Sequence, residues 1–197
     1  NMTIEDNLFD GNEAGDDAGG MKLSHSSNVI RRNLFVGNKA GDAGGGLELD
    51  NETSDVSECE FRDNTASRGA GLHSWRNEGR ISIQNSLFLG NRARFCGGAI
   101  QMDNNPYEVL LHQLDIAENT SDVDGAAVCT HVFYQDDEQT VSESAVFRMT
   151  NSTLAWNAAG DDGGAFYIEK GEMTLENVTA HGNTAGDDGG GIAMKAE

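Results

Sequence analysis

Acidic side chains recur at one place along this chain. Asp16 and Asp17, Asp42, Asp122 and Asp124, Asp161 and Asp162, and Asp187 and Asp188 each follow an Asn by three to five residues. Carboxylates grouped in this way have two uses. They hold a hard cation such as calcium through oxygen ligands, or they form a solvated acidic face. The calcium reading falls on Asp124, Asp161, Asp162, Asp187 and Asp188, where three successive groups all carry acids. Against it, Arg68 and Arg94 stand at or near the same place in the third and fourth groups and would neutralise neighbours instead.

Paired acids can also hydrolyse a glycosidic bond when two carboxyl groups flank it at a set distance. Here the pairs arise from repetition and form no distinctive constellation, so no catalytic residue is assigned. His25, His73, His112, His131 and His181 share no metal-ligand spacing. The glycine runs lack the strand, loop and helix context of a phosphate-binding loop. Asp and Glu number 33 against 13 Lys and Arg, a formal charge of −20. That balance excludes the basic footprint a nucleic acid or an anionic membrane surface requires. No run of about 18 apolar residues exists to insert into a membrane.

What positions these acids is a repeat. The Asn residues are Asn12, Asn38, Asn64, Asn91, Asn119, Asn157 and Asn183, at spacings of 26, 26, 27, 28, 38 and 26. A large apolar residue precedes most of them by three positions: Phe9, Phe35, Phe61, Phe88, Ile116 and Leu154, with Ala180 the exception. A small residue follows two positions on, then a Gly/Ala-rich stretch, then Met21, Leu47, Leu72, Ile100, Val128, Phe166 or Ile192. Units of this size cannot bury an apolar face alone and must stack on one another. Ile81 and Ile83 alternating with Ser82 and Gln84 show the period of a strand with one buried face. Repeated glycines oppose a helix at about 1 kcal/mol each.

The fold expected is therefore all-β: a right-handed parallel β-helix of about seven coils, each with two or three short strands, rising about 4.8 Å per coil. The recurring Asn should stack as an amide ladder and occupy the left-handed backbone region at a corner. Residues 1–197 read as a single solenoid. Neither end carries a polar cap, so the expectation is a stretch of a longer array. The one long spacing places an inserted loop at 130–145, containing His131, Phe133, Tyr134, Asp136, Asp137 and Glu138. Such a loop serves binding or is a tolerated spacer. Cys59 reads as a buried thiol. Cys96 and Cys129 lie in successive coils, which permits a bridge, but their different offsets from the Asn argue against one.

The pairing of Phe-x-x-Asn with Gly-Gly-Ala and an aliphatic residue resembles the repeats of the chlamydial polymorphic membrane proteins. It is carried by Phe88 to Asn91 with Gly97 to Ile100, by Phe35 to Asn38 with Gly44 to Leu47, and by Phe61 to Asn64. The resemblance covers essentially the whole chain. It implies the β-helical passenger of an autotransporter, acting in adhesion. Five Asn-x-Ser/Thr sequons (Asn1, Asn51, Asn119, Asn151, Asn177) point instead to a secreted eukaryotic glycoprotein. Of these, Asn51, Asn151 and Asn177 are the expected glycan acceptors, and ladder Asn119 is expected to be buried.

The function expected is a noncatalytic extracellular rod, structural or adhesive, in a surface adhesin or a glycosylated surface filament. Its partners would be other segments or copies of the same surface protein, or surface glycans. No cofactor is expected, calcium apart. The alternative is a carbohydrate-active β-helix enzyme of the pectate-lyase or polygalacturonase kind, which would show one long cleft lined by nonrepeating acids and aromatics.

Overall fold

A computed structural model describes residues 2–25, 27–50, 53–76, 79–105, 107–131 and 146–195. Residues 132–145, most of the expected insertion, and sequon residues Asn1 and Asn51 lie outside the described residues. Among the described residues no helix is long and apolar enough to cross a membrane.

Every coil contributes strands to the same faces in the same order. The first coil runs Met2–Glu5, Leu8–Asp10, Glu13–Ala14 and Met21–Ser24, and these open four separate parallel sheets. Three sheets hold seven strands and the third holds six, giving six complete turns and a seventh without its third strand. Four strand segments per coil replace the two or three expected, because the short pairs around Ala14, Ala40 and Ala159 also join a ladder.

Stacking is in register. Phe9, Phe35, Phe61 and Phe88 form one internal column, with ring centroids 4.6–4.8 Å apart and planes within 6° of parallel. Ile116 and Leu154 continue it. Ile4, Ile30, Val56, Ile83, Leu111, Met149 and Leu175 form a second column on the first sheet. Leu47, Leu72, Ile100, Val128 and Phe166 form a third on the fourth sheet. Burying each such side chain contributes about 1.5–3 kcal/mol.

The Asn ladder forms as expected. From Asn12 to Asn157, each ladder Asn Nδ2 donates to the Oδ1 of the Asn one coil on at 2.9–3.0 Å. That Oδ1 also accepts the backbone N–H of the preceding Asn. The Nδ2 of Asn64 and Asn91 donates in addition to the carbonyl of Phe35 and Phe61. One expectation is corrected: the ladder Asn is not left-handed. Positive φ falls on the residue before it, Gly11, Gly37, Asp63, Gly90, Glu118, Trp156 and Gly182. That residue turns the corner, and the amides of Asn38, Asn64, Asn91, Asn119 and Asn157 that follow are buried.

Candidate functional site

Alternation along the fourth sheet sends Leu47 and Leu49 inward and Glu48 and Asp50 outward. The outward column reads Lys22, Glu48, His73, Gln101, Cys129, Tyr167 and Ala193. Beside it run Asp50, Trp75, Asp103 and His131. An outward residue should meet water, yet Glu48, His73, Gln101, Asp103, Cys129 and Tyr167 are all buried.

For all of these but Asp103, the cause is the glycine four residues before. Gly44, Gly69, Gly97, Gly125 and Gly163 take positive φ and fold the corner back over the outer face of the sheet. A Cβ on Gly44 would stand 2.7 Å from the Glu48 Cβ, and one on Gly97 would stand 2.6 Å from the Gln101 Cβ. Any larger residue would hold the corner off and uncover the column. The same fold-back brings Cys96, at the corner, against Cys129, on the sheet. They form a disulfide with a Cα–Cα separation of 5.9 Å. Their offsets from the Asn differ because the corner and the sheet meet there, which corrects the expectation against a bridge. Cys59 is the expected buried thiol, and burial raises its pKa despite hydrogen bonds from its surroundings.

Charges on this covered face are closely interlocked. Lys22 Nζ donates to Asp17 at 2.7 Å and to Glu48 at 3.2 Å. His73 Nε2 lies 2.9 Å from Asp103. Gln101 Nε2 donates to both oxygens of Asp103 at 3.1 and 2.8 Å, and its Oε1 accepts from Gly69 N. Burial pulls the His73 pKa down, but the hydrogen bond to Asp103 and the charges of Asp103 and Glu48 outweigh it and raise it to about 9. Glu48 acts through charge here, since its oxygen is 3.9 Å from Nδ1. Further along, His131 Nδ1 lies 3.0 Å from Glu169, and its ring tilts against Tyr167.

Two cavities open along this face. One, of about 400 Å³, is lined by Asp17, Lys22, Asp42, Glu48, Asp50, Arg68, His73, Trp75 and Arg76. The next, of about 340 Å³, shares Asp42 and Arg68 and continues past Phe95, Gln101, Asp124 and His131. Arg68 clamps Asp42 through Nε and Nη2 at 3.1 and 2.5 Å. Arg76 sits 5.2 Å over the half-buried Trp75 ring.

The acidic corner expected to hold calcium is assembled in part. Oxygens of Asp161, Asp162 and Asp187 all lie within 4.8 Å of one another, as do those of Asp16, Asp17 and Asp42. Asp124 Oδ1 accepts the Asp162 N–H at 3.1 Å, and Asp162 Oδ1 accepts the Asp188 N–H at 3.0 Å. One oxygen of each is thus already engaged by backbone. Burial raises the Asp124 pKa, as do Asp162 and Asp161, while the Asp162 N–H and His131 oppose the shift. Arg68 does neutralise its neighbour Asp42, whereas Arg94 lies over Phe95 at 5.8 Å. Sequons Asn151 and Asn177 are both exposed, and Asn177 Nδ2 donates to Asn151 Oδ1 at 3.2 Å. Asn119 is fully buried in the ladder.

Spacing alone missed the cleft. Its signal was present as a glycine at position i with a polar or sulfur-bearing residue at i+4: Gly44 and Glu48, Gly69 and His73, Gly97 and Gln101, Gly125 and Cys129. A family model described as a right-handed β-helix region matches residues 1–88. No curated protein and no solved structure matches the chain. The coil stack and this match together give a right-handed parallel β-helix, a repeat protein in which the cleft is the part that does not repeat.

Proposed function

We propose that the protein is a noncatalytic, extracellular β-helical rod with a structural or adhesive role, as part of a surface adhesin or a glycosylated surface filament. The observation that carries this reading is where the acid–base groups sit. Catalysis by proton transfer needs a group poised and within reach of substrate, yet His73 and Asp103 are buried against each other. Lys22 and Arg68 are spent on Asp17, Glu48 and Asp42. Such pairs fit a binding or load-bearing surface. The resemblance of the Phe-x-x-Asn and Gly-Gly-Ala units to chlamydial adhesin repeats supports the adhesive form, and exposed sequons Asn151 and Asn177 support a glycosylated one. Partners on this reading are further copies of the protein or surface glycans.

A second reading, a carbohydrate-active enzyme, is favoured by one feature: the cleft is lined by nonrepeating acids and by Trp75. Incubation with neutral and uronate polysaccharides separates the two. The rod reading expects no new reducing ends and no unsaturated product, and turnover abolished by Asp42→Asn or Asp50→Asn would replace it with the enzyme. Surface labelling of intact source cells tests the location, and a mass shift on deglycosylation tests the sequons.

A further inference from the structure

The clasp between the corner and the fourth sheet has a third member. One ring nitrogen of His131 and the sulfurs of Cys96 and Cys129 all lie within 4.8 Å of one another. Strand alternation puts His131 on the same side of its strand as Cys129, two residues on. Thiolate and imidazole are ligands zinc takes, at about 2.3 Å for sulfur and about 2.0–2.1 Å for nitrogen. On a tetrahedral ion such ligands stand about 3.3–3.8 Å apart, so rotations of three side chains suffice to close the site.

The placement of these groups does not depend on the sulfur–sulfur bond. Cys96 pairs with Asp124 in parallel, and its carbonyl accepts the Gly69 N–H at 3.1 Å. The next N–H, of Gly97, donates to the Gly125 carbonyl at 2.9 Å. Cys129 is held in register between Gln101 and Tyr167. Opening the bridge therefore leaves two thiols facing each other beside the imidazole. His131 Nδ1 also lies 3.0 Å from a Glu169 oxygen. A carboxylate at one ring nitrogen takes its proton and keeps the lone pair on the other, which is how ligand histidines are held. Two thiolates and a dication sum to zero, so the ion adds no net charge around cysteines that are 1% and 0% exposed. The His131 side chain is 24% exposed, and from its side an ion enters and finds a fourth ligand.

We propose that Cys96, Cys129 and His131, with the bridge reduced, bind one zinc ion that clasps the corner to the fourth sheet in place of the disulfide. The reductant is a phosphine: it gives two electrons to the bridge, takes oxygen from water to become its oxide, and leaves two thiols. Zinc then displaces both thiol protons, and two zinc–sulfur bonds replace the sulfur–sulfur bond.

The test uses the whole chain, reduced with a phosphine that is then removed without air, and cobalt as the spectroscopic substitute for zinc. The reduced protein should take up one equivalent of cobalt. Thiolate-to-metal absorption in the near ultraviolet and the strong visible bands of a tetrahedral ion should appear, and zinc should bleach both. The oxidised protein should show neither. Carboxylates of the acidic corner give pale octahedral cobalt with no thiolate band, so they do not mimic the signal. Zinc should raise the melting temperature of the reduced protein more than that of the oxidised one. His131→Ala and Glu169→Gln should each weaken zinc roughly tenfold or more, Cys96→Ser should abolish the thiolate band, and Cys59→Ser should change nothing. The two variants that spare the cysteines keep the test decisive where Cys96→Ser does not fold. A reduced protein without the thiolate band, or a band that survives Cys96→Ser or is lost with Cys59→Ser, overturns the site. Zinc affinity unchanged by His131→Ala overturns the part given to the imidazole.

Discussion

Inside the rod, neighbouring coils offer one another the same residue: Phe on Phe, Asn on Asn, aliphatic on aliphatic. On the covered face of the fourth sheet they do not, and Lys22, Glu48, His73, Gln101, Cys129 and Tyr167 follow in turn. From Glu48 to Tyr167 this face is buried as the interior is, but burial imposes different conditions on the two. Apolar rings and amides gain from meeting their own kind, since an amide donates and accepts at once. A buried ion meeting its own kind would be repelled, so a charged column must alternate or be interrupted. Repetition therefore builds the rod, and departures from repetition mark where the chain is constrained by something other than stacking.

The largest effect should come from breaking the repeating side. Asn91→Ala removes the acceptor for Asn64 N and Nδ2 and the donor to Phe61 O, all in the buried interior. At about 1–3 kcal/mol for each buried group left unmet, the loss is on the order of 4 kcal/mol or more. Urea unfolding should show it, and a loss below about 1 kcal/mol would mean that water enters the ladder freely. Lys39→Ala, which breaks an exposed pair with Glu13, should leave the midpoint unchanged.

Next comes the clasp between the corner and the covered face. Cys96 and Cys129 are 33 residues apart in sequence. Closing a loop of that size stabilises by roughly 3–4 kcal/mol on the chain-entropy model. Cys96→Ser with Cys129→Ser should lower stability by up to that amount and raise amide exchange across Gly97 and Gly125. An equal effect from reducing agent on the wild type would confirm the source. No effect from either would show that the glycine turns alone hold the corner down.

The charged column makes a prediction in pH. The folded His73 pKa of about 9 stands above its ordinary value of 6.5, so the folded state holds the proton more tightly. Its contribution is fully present below about pH 6.5 and is lost as pH rises through about 9, a fall on the order of 3 kcal/mol. The groups facing it are Glu48 and Asp103, with Lys22 and Arg68 at the cleft wall. Melting should decline across that window, and His73→Gln should flatten the decline. A flat wild-type profile would place the imidazole in its neutral form and remove the charge alternation.

How much of this was legible follows the same division. The interior columns could be read directly, because a core position must look alike in every coil: Phe35, Phe61 and Phe88 announce one another. The Asn ladder was legible for that reason too, although its backbone conformation was not, since the left-handed corner falls one residue earlier on residues as unlike as Gly37, Asp63 and Trp156. The cleft was hidden because strand alternation assigns Glu48 and His73 to solvent. Only the fold-back at Gly44 and Gly69 puts them under cover. The Cys96–Cys129 bridge was misjudged for the same reason, as its halves belong to the two surfaces that the turn brings together.

The smallest effect expected tests the place where both rules meet. The acidic corner is outside the rod, yet it repeats, and repetition there stacks like charge on like: Asp161 on Asp187 and Asp162 on Asp188. Oxygens of Asp161, Asp162 and Asp187 lie within 4.8 Å of one another. A chain of −20 gains from any cation by screening, so a rise in melting temperature alone says little. The calcium reading requires millimolar calcium to raise melting above sodium at matched ionic strength. A ligand adds about 2.7 kcal/mol only at a hundredfold excess over its dissociation constant, and less below it. Asp162→Asn with Asp188→Asn should cancel the excess while leaving the sodium response in place. The Asp188 N–H should keep its acceptor, because an Asn at 162 retains a side-chain oxygen. Equal responses to the two salts would make the corner a solvated face, tolerated because one oxygen each of Asp124 and Asp162 serves the backbone of the next coil.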